Sequence, residues 1–414
     1  METRSQDQRD DLPSDWQVER LGNSCRIKTG KKDVNEGSPS GKYPFFTCSK
    51  AIHYSDSYSF DTEAILVAGN GAVGETKYYQ GKFEAYQRTY VLDQFSAFAP
   101  YVFLFLKGTL VTELARHVTG STMPYIRKGD LENIEIPVPP LAEQQKIAAV
   151  LGLVHRAIEQ QERLIALTTE LKKALLHQLF TQGLRGEPQK QTEIGPVPES
   201  WEPTSLGKCC DIVSGSLSYT DFLKMASVDD GDAIECMGVK VSDMNLPGNE
   251  NKFVTANAMR RISEATAHGK LIPPNTVVFP KRGAAIATNK KRLTTTWTVL
   301  DPNLIGVRAK TSIDVDFLFH WLQTFDLRRI TDPGPTPQLN KKDLLPVLMP
   351  LPQKIDEQRE IANMMSTIDR KLTLHQGKHA ALTALFRTLL HQLMTAQIRV
   401  HDLDLPKLET ATQG

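Results

Sequence analysis

The 414-residue chain carries 49 Lys and Arg against 48 Asp and Glu, with 40% apolar and 23% charged residues. That length suffices for two domains of ordinary size, each with its own core, and the composition is ordinary globular usage. The balance of +1 argues against a nucleic-acid binder that relies on an overall basic excess.

No secretory pattern marks the polar stretch 1–11. The longest apolar stretch, 95–106, is too short to cross a bilayer and contains Pro100. Cys25, Cys48, Cys209, Cys210 and Cys236 form no CxxC pair and read as free thiols, so the expected location is the cytoplasm.

Taken in chain order, residues 1–137 read as a first variable domain of mixed α/β character. Short strands are predicted at 64–67, 89–92 and 134–136, and a helix at 100–117. Gly69-Asn-Gly71-Ala-Val-Gly74 matches the dinucleotide fingerprint in letters. The residues after it, 75–81, are strand and turn material rather than the opening of a phosphate-binding helix, so a glycine-rich hairpin is expected.

Pro137, Pro139 and Pro140 then stop the chain before a long helix within 138–182. Its a/d seam is Ile147, Leu151, Val154, Ile158, Gln161, Ile165, Thr168, Lys172, Leu175 and Leu179. The seam turns polar at Thr168 and Lys172, where Leu164, Leu167 and Leu171 offer a shifted apolar stripe. Glycine and proline in 183–197 suggest a linker.

A second variable domain occupies 198–349, with strands at 276–279 and 304–307 and a helix at 316–331. Pro350 and Pro352 precede a second long helix within 350–400, and 401–414 forms a tail. The second seam is Ile361, Met365, Ile368, Leu372, His375, His379, Leu382, Phe386, Leu389 and Leu393.

The chain repeats itself. Leu176-His177-Gln178-Leu179-Phe180-Thr181 recurs as Leu390-His391-Gln392-Leu393-Met394-Thr395, and Glu143-Gln144 recurs as Glu357-Gln358 at the same offset. Pro13-Ser14-Asp15-Trp16 corresponds to Pro198-Glu199-Ser200-Trp201, and Leu21-Gly22 to Leu206-Gly207. Gly120 to Pro124 with Lys128-Gly-Asp130-Leu131 corresponds to Gly334 to Pro337 with Lys341-Lys-Asp343-Leu344. Between these borders the interiors diverge. The gap-free offset favours an antiparallel coiled coil between the two helices, with an approximate two-fold internal repeat, over two helices that cap their own domains.

Catalytic patterns are missing from the sequence: it holds no Walker loop, no H-E-x-x-H and no zinc-spaced Cys/His set. Asp301-Pro-Asn-Leu304 lacks the second proline and the terminal aromatic of the amino-methyltransferase tetrapeptide. His177 and His391 repeat without an acid or nucleophile and read as packing or partner contacts. No catalytic or metal-binding residue is expected.

The borders carry a family resemblance. The segments 192–201, 171–180 and 385–394, with the 120–131 motif, resemble type I restriction–modification specificity subunits, in family order and over about 13–400. The resemblance implies two target-recognition domains held apart by conserved helices. Each domain would read one half of an asymmetric bipartite DNA site, and the helix pair would set the unread spacer.

It also implies double-stranded DNA and two methyltransferase subunits as partners, with two restriction subunits possible in addition. S-adenosylmethionine would be held by the methyltransferase, ATP and Mg by the restriction subunit, and no cofactor by this chain. A structural coiled-coil scaffold with protein-binding variable domains is the alternative.

Candidate DNA contacts are Lys281, Arg282, Lys290, Lys291 and Arg292 in the second domain, on a stretch resembling one common in the family. In the first domain they are Lys77, Tyr78, Tyr79 and Arg88. Lysine and arginine suit phosphate or guanine edges, though each residue reads equally as solvated surface.

Overall fold

The computed structural model describes residues 12–114, 125–225, 227, 233–263, 269–332, 334 and 336–403. The motif at 120–124, the end of the expected 100–117 helix, Pro335 and most of the 401–414 tail therefore lie outside the described residues.

In the first α/β domain the strands are β1 (Gln17–Arg20), β2 (Arg26–Thr29), β3 (Tyr43–Phe46), β4 (His53–Ser55), β5 (Phe60–Ala68), β6 (Thr76–Ala85), β7 (Thr89–Asp93) and β8 (Glu135–Val138). Six of them form a sheet in the order β2-β7-β5-β6-β3-β4, antiparallel except for the parallel pair β3–β6. Strand β5 is central, and every residue of its 64–68 run is buried, which is why it reads as continuous Ala-Ile-Leu-Val-Ala rather than alternating. Helix α1 (Ala99–Leu114) is apolar nearly all round and contributes eight buried residues. β5 and β6 pair antiparallel across the Gly69–Gly74 turn, where Gly71 and Gly74 have positive φ, so the glycine run is a hairpin.

Two long helices follow the domains: α2 (Leu141–Gln182, 42 residues) and, after the second domain, α4 (Ile355–Met394, 40 residues). Each spans about 60 Å at 1.5 Å per residue. Between α2 and the second domain, 183–197 is not a plain linker. It holds a hairpin, β9 (Gln189–Thr192) with β10 (Gly195–Pro198), in which Gly195 takes the positive φ that the turn requires.

The second domain contains β11 (Trp201–Ser205), β12 (Cys210–Ser214), β13 (Ile234–Val239), β14 (Lys252–Phe253), β15 (Ala258–Ile262), β16 (Thr276–Pro280), β17 (Arg292–Thr294), β18 (Trp297–Leu300), β19 (Leu304–Ala309) and β20 (Leu348–Pro352). They make a five-stranded sheet, β12-β19-β16-β17-β14, and a three-stranded one, β15-β13-β18. Helix α3 (Val315–Thr324) is shorter than the expected 316–331. The chain becomes extended at Phe325, and Asp326 caps a separate 3-10 turn at Leu327–Ile330.

The repeated letters are repeated contacts. β1 pairs with β8, and β11 with β20, so each domain's opening is tied to its end just before a long helix. Trp16 Nε1 donates to Glu143 (3.1 Å), and Trp201 Nε1 donates to Glu357 (3.2 Å). Gln144 accepts from Phe98 N and donates to Pro139 O, both at 2.7 Å. Gln358 accepts from Asp314 N (2.7 Å) and donates to Pro352 O (2.9 Å). Asp130 and Asp343 accept from the backbone N–H of Arg127 and Asn340, capping matching short helices. The interval from Trp to Glu differs, 127 residues in the first copy and 156 in the second, so the same ties close over domains of different length.

The compact units do not follow the sequence blocks. Unit 1 takes the described residues up to Leu164 and those from His375 onward; unit 2 is Ile165–Leu374. Each unit thus contains one α/β domain and half of each long helix. In unit 1 the early seam of α2 (Ile147, Leu151, Val154, with Ile158 at its edge) shares a core with Leu382, Phe386, Leu389 and Leu393 of late α4. In unit 2 the late seam of α2 (Leu175, Leu179) shares a core with Ile361 and Met365 of early α4. Early against late in both units is antiparallel packing.

Ile165, Ile368 and Leu372 are half-buried. The seam does not shift at its polar positions: Leu164, Leu167 and Leu171 are all exposed, the last two by 57% and 52%. Lys172 keeps its heptad place because its ammonium meets Asp369 at 2.6 Å.

Candidate nucleic-acid interface

The expected DNA contacts separate into buried and exposed groups. Lys291 is 3% exposed, and its Nζ donates to Asn289 Oδ1 (2.7 Å) and Phe325 O (2.5 Å). Burial lowers its pKa to about 7. Arg292 is also buried and donates to the carbonyls of Lys291 and Met244. The expectation that these two meet phosphate is corrected: both ends of the Lys-Lys-Arg cluster's last dipeptide point into unit 2 and hold loops together. Lys290 donates to the Asn245 side chain.

In unit 1, Tyr78 and Tyr79 point to opposite faces of β6, as strand alternation dictates. The Tyr78 ring packs tilted against Phe103, 5.7 Å between centroids, and its hydroxyl donates to Glu63; burial, then Glu63, raises its pKa. Tyr79 packs on Phe46 and Phe83. Lys77 is half-buried, donates to Ser49 O (2.7 Å) and lies 6.0 Å from the Phe46 ring centroid. Burial lowers its pKa, against the opposing pull of Glu75. These three side chains are engaged in packing.

Arg88 is exposed in the turn between β6 and β7, and Arg282 is exposed just past β16; Lys281 beside it is partly buried. Burial first, and Arg282 next, lower the Lys281 pKa. In the 3-10 turn at Leu327–Ile330, which carries Arg328 and Arg329, Arg328 is held by Asp326, whose pKa is lowered to about 2 chiefly by that contact.

The exposed residues stand on one backbone frame built twice. In unit 1, Gly69 N donates to Arg88 O and Ile126 N to Gly69 O, both at 3.0 Å. In unit 2, Lys281 N donates to Asn303 O and Leu339 N to Lys281 O, both at 2.9 Å. The next residue in each pair forms an antiparallel bridge: Asn70 with Tyr125, and Arg282 with Gln338. A glycine follows each, Gly71 at φ +63° and Gly283 at φ +66°, with nothing within 4 Å of where a Cβ would sit. Gly69-Asn-Gly71 and Lys281-Arg-Gly283 are therefore structural equivalents. Sequence reasoning singled out neither Asn70 nor Gln338: the shared letters are the glycine at 71 and 283 and the proline at 124 and 337, and the bridging strand is distant in sequence.

Among the described residues no group of three or more His, Cys, Asp and Glu is placed to hold a metal ion, and no helix is long and apolar enough to cross a membrane.

The same α/β build occurs twice in one chain, each time packed with its own antiparallel pair of half-helices and with different side chains on the same backbone frame. The family model described as Type I restriction modification DNA specificity domain matches residues 13–169 and again 198–384, and the chain belongs to that family.

It is similar to the type I restriction enzyme EcoDI specificity subunit of Escherichia coli, at 27% identity over 86% of this chain and 82% of that one. It is also similar to the MjaVIII specificity subunit of Methanocaldococcus jannaschii, at 24% identity over 95% of each. Among solved structures, the type I restriction-modification S subunit from M. genitalium shares its fold with a TM-score of 0.63 at 18% identity, covering 93% of this chain and 98% of that one.

Proposed function

We propose that this specificity subunit reads a split DNA site, with unit 1 and unit 2 each recognising one half. The observation that carries the reading is the frame built twice with different side chains. Two readers of the same build but different surface chemistry suit two different half-sequences. The paired helices α2 and α4, each contributing to both units, set the unread spacer.

The chain works without chemistry of its own. Two methyltransferase subunits carry S-adenosylmethionine, and two restriction subunits carry ATP and Mg. Leu167, Leu171, Met364 and Leu374 are exposed on the helices of unit 2 and offer apolar area to a methyltransferase subunit.

Co-expression with the neighbouring methyltransferase in a methylation-free host, followed by sequencing for modified bases, tests this. One split motif with a fixed gap is the expected result. No new methylation from soluble, co-purifying proteins would move the reading to a protein-binding scaffold. Inserting four residues near Thr168 lengthens α2 by about 6 Å. At about 3.4 Å per base pair the spacer should grow by one or two base pairs with both half-sites unchanged; an unchanged spacer would remove the ruler.

A further inference from the structure

We propose that Asn70 in unit 1 and the bridged pair Arg282 and Gln338 in unit 2 are the base-reading residues of the two half-sites, an inference that rests on the DNA-specificity reading above. The equivalence of the two frames selects them. Backbone hydrogen bonds at Gly69 and Lys281 fix the frame, so the side chain one position on is displayed from a rigid edge in both units. Arg282 and Gln338 are exposed and Asn70 is half-buried, whereas Lys291, Arg292, Tyr78 and Tyr79 are consumed in packing.

The open space around Gly71 and Gly283 lets backbone approach a groove wall without a Cβ in the way. The chemistry then assigns bases. An arginine fork pairs bidentately with guanine O6 and N7, and asparagine or glutamine pairs with adenine N6 and N7. Unit 2 should therefore require a guanine with an adenine beside it or on the opposite strand, and unit 1 an adenine. Each such contact discriminates by roughly ten- to hundredfold against a wrong base.

The test compares wild type, Asn70→Ala, Arg282→Ala and Gln338→Ala, each purified with the methyltransferase and scored by sequencing modified bases in the methylation-free host. Arg282→Ala should make one guanine position of one half-site degenerate, and Gln338→Ala an adenine position of that same half. Asn70→Ala should relax an adenine in the other half, and the spacer should stay fixed throughout. Variants that assemble and methylate the unchanged motif would overturn the assignment, as would Asn70→Ala and Arg282→Ala relaxing the same half-site.

If Arg282→Ala abolishes methylation, Arg282→Lys keeps the charge without the fork and should restore methylation with that guanine degenerate. Loss in both, from complexes that still assemble, would overturn a reading role. A wild-type complex without any split motif would instead sink the DNA-specificity reading itself.

Discussion

The two units solve the same packing problem with opposite chemistry. By the alignment that pairs Leu176 with Leu390, His155 corresponds to Asp369 and Lys172 to Phe386. In unit 1 the position is aromatic: the His155 ring lies 5.6 Å from Phe103 and 6.0 Å from Phe386. In unit 2 it is ionic: Lys172 meets Asp369 at 2.6 Å, and His320 Nδ1 lies 3.9 Å from the same carboxylate.

A like-for-like repeat could pair either half-helix with a copy of itself. Filling one seam with rings and the other with a charge pair makes such mispairing bury a lone charge, which is the best-attested use of polar seam positions. Gln161 and His375 correspond to one another in the repeat and also touch, with Gln161 Oε1 2.9 Å from His375 Nδ1.

The largest effect should come from breaking the charged seam. Lys172→Ala leaves Asp369 buried without its cation and should destabilise unit 2 by about 3–5 kcal/mol, read by denaturant unfolding. The double variant Lys172→Phe with Asp369→His copies unit 1's choice and should recover most of that loss. No recovery would mean the surrounding residues, not the pair, set the chemistry.

Next is Leu151→Ala, a fully buried seam residue of unit 1, with an expected cost of about 2–5 kcal/mol. Leu171→Ala should change stability by less than about 0.5 kcal/mol. Equal costs would return the shifted stripe to the seam.

Acid sharpens the contrast further. Burial, with Lys172 and Lys252 adding to it and Asp369 opposing, lowers the His320 pKa from 6.5 to about 4. Between those values the unfolded chain binds a proton that the folded chain refuses. Stability present above pH 6.5 is therefore lost progressively as pH falls toward 4, by on the order of 2–3 kcal/mol. Phe98 and Asp314, whose backbone N–H groups bond the matching glutamines, pair His320 with Leu104; His320→Leu should therefore flatten that slope in pH-dependent melting, and an unchanged slope would place the acid sensitivity elsewhere.

A smaller effect than these core losses concerns a contact made by unit 1. Arg399 grips Glu143 through two hydrogen bonds of 2.8 Å beside Trp16, whereas its repeat counterpart Arg185 is exposed. Arg399→Met should cost about 1 kcal/mol, and Arg185→Met close to nothing; similar losses would argue against the asymmetry.

Much of this molecule was legible in its letters. The duplication, the helices, their heptad seams and the glycine hairpin follow from period, propensity and repeated borders, because each is a local rule applied many times over. The matching Trp and Glu-Gln repeats even marked both ends of the ties they form. Other features were invisible because they depend on what a residue meets.

Lys172 keeps the seam in register through Asp369 on the other helix, so the run of Leu164, Leu167 and Leu171 misled. Lys291 and Arg292 carry the same charge as surface residues, but three backbone carbonyls and an amide oxygen draw them inward. The shared frame under Asn70 and Arg282 joins strands far apart in sequence with almost no common letters. Sequence alone determined which elements form and that they form twice. Only tertiary structure decided which charges face water, because burial is set by the neighbours that folding brings together rather than by the residue itself.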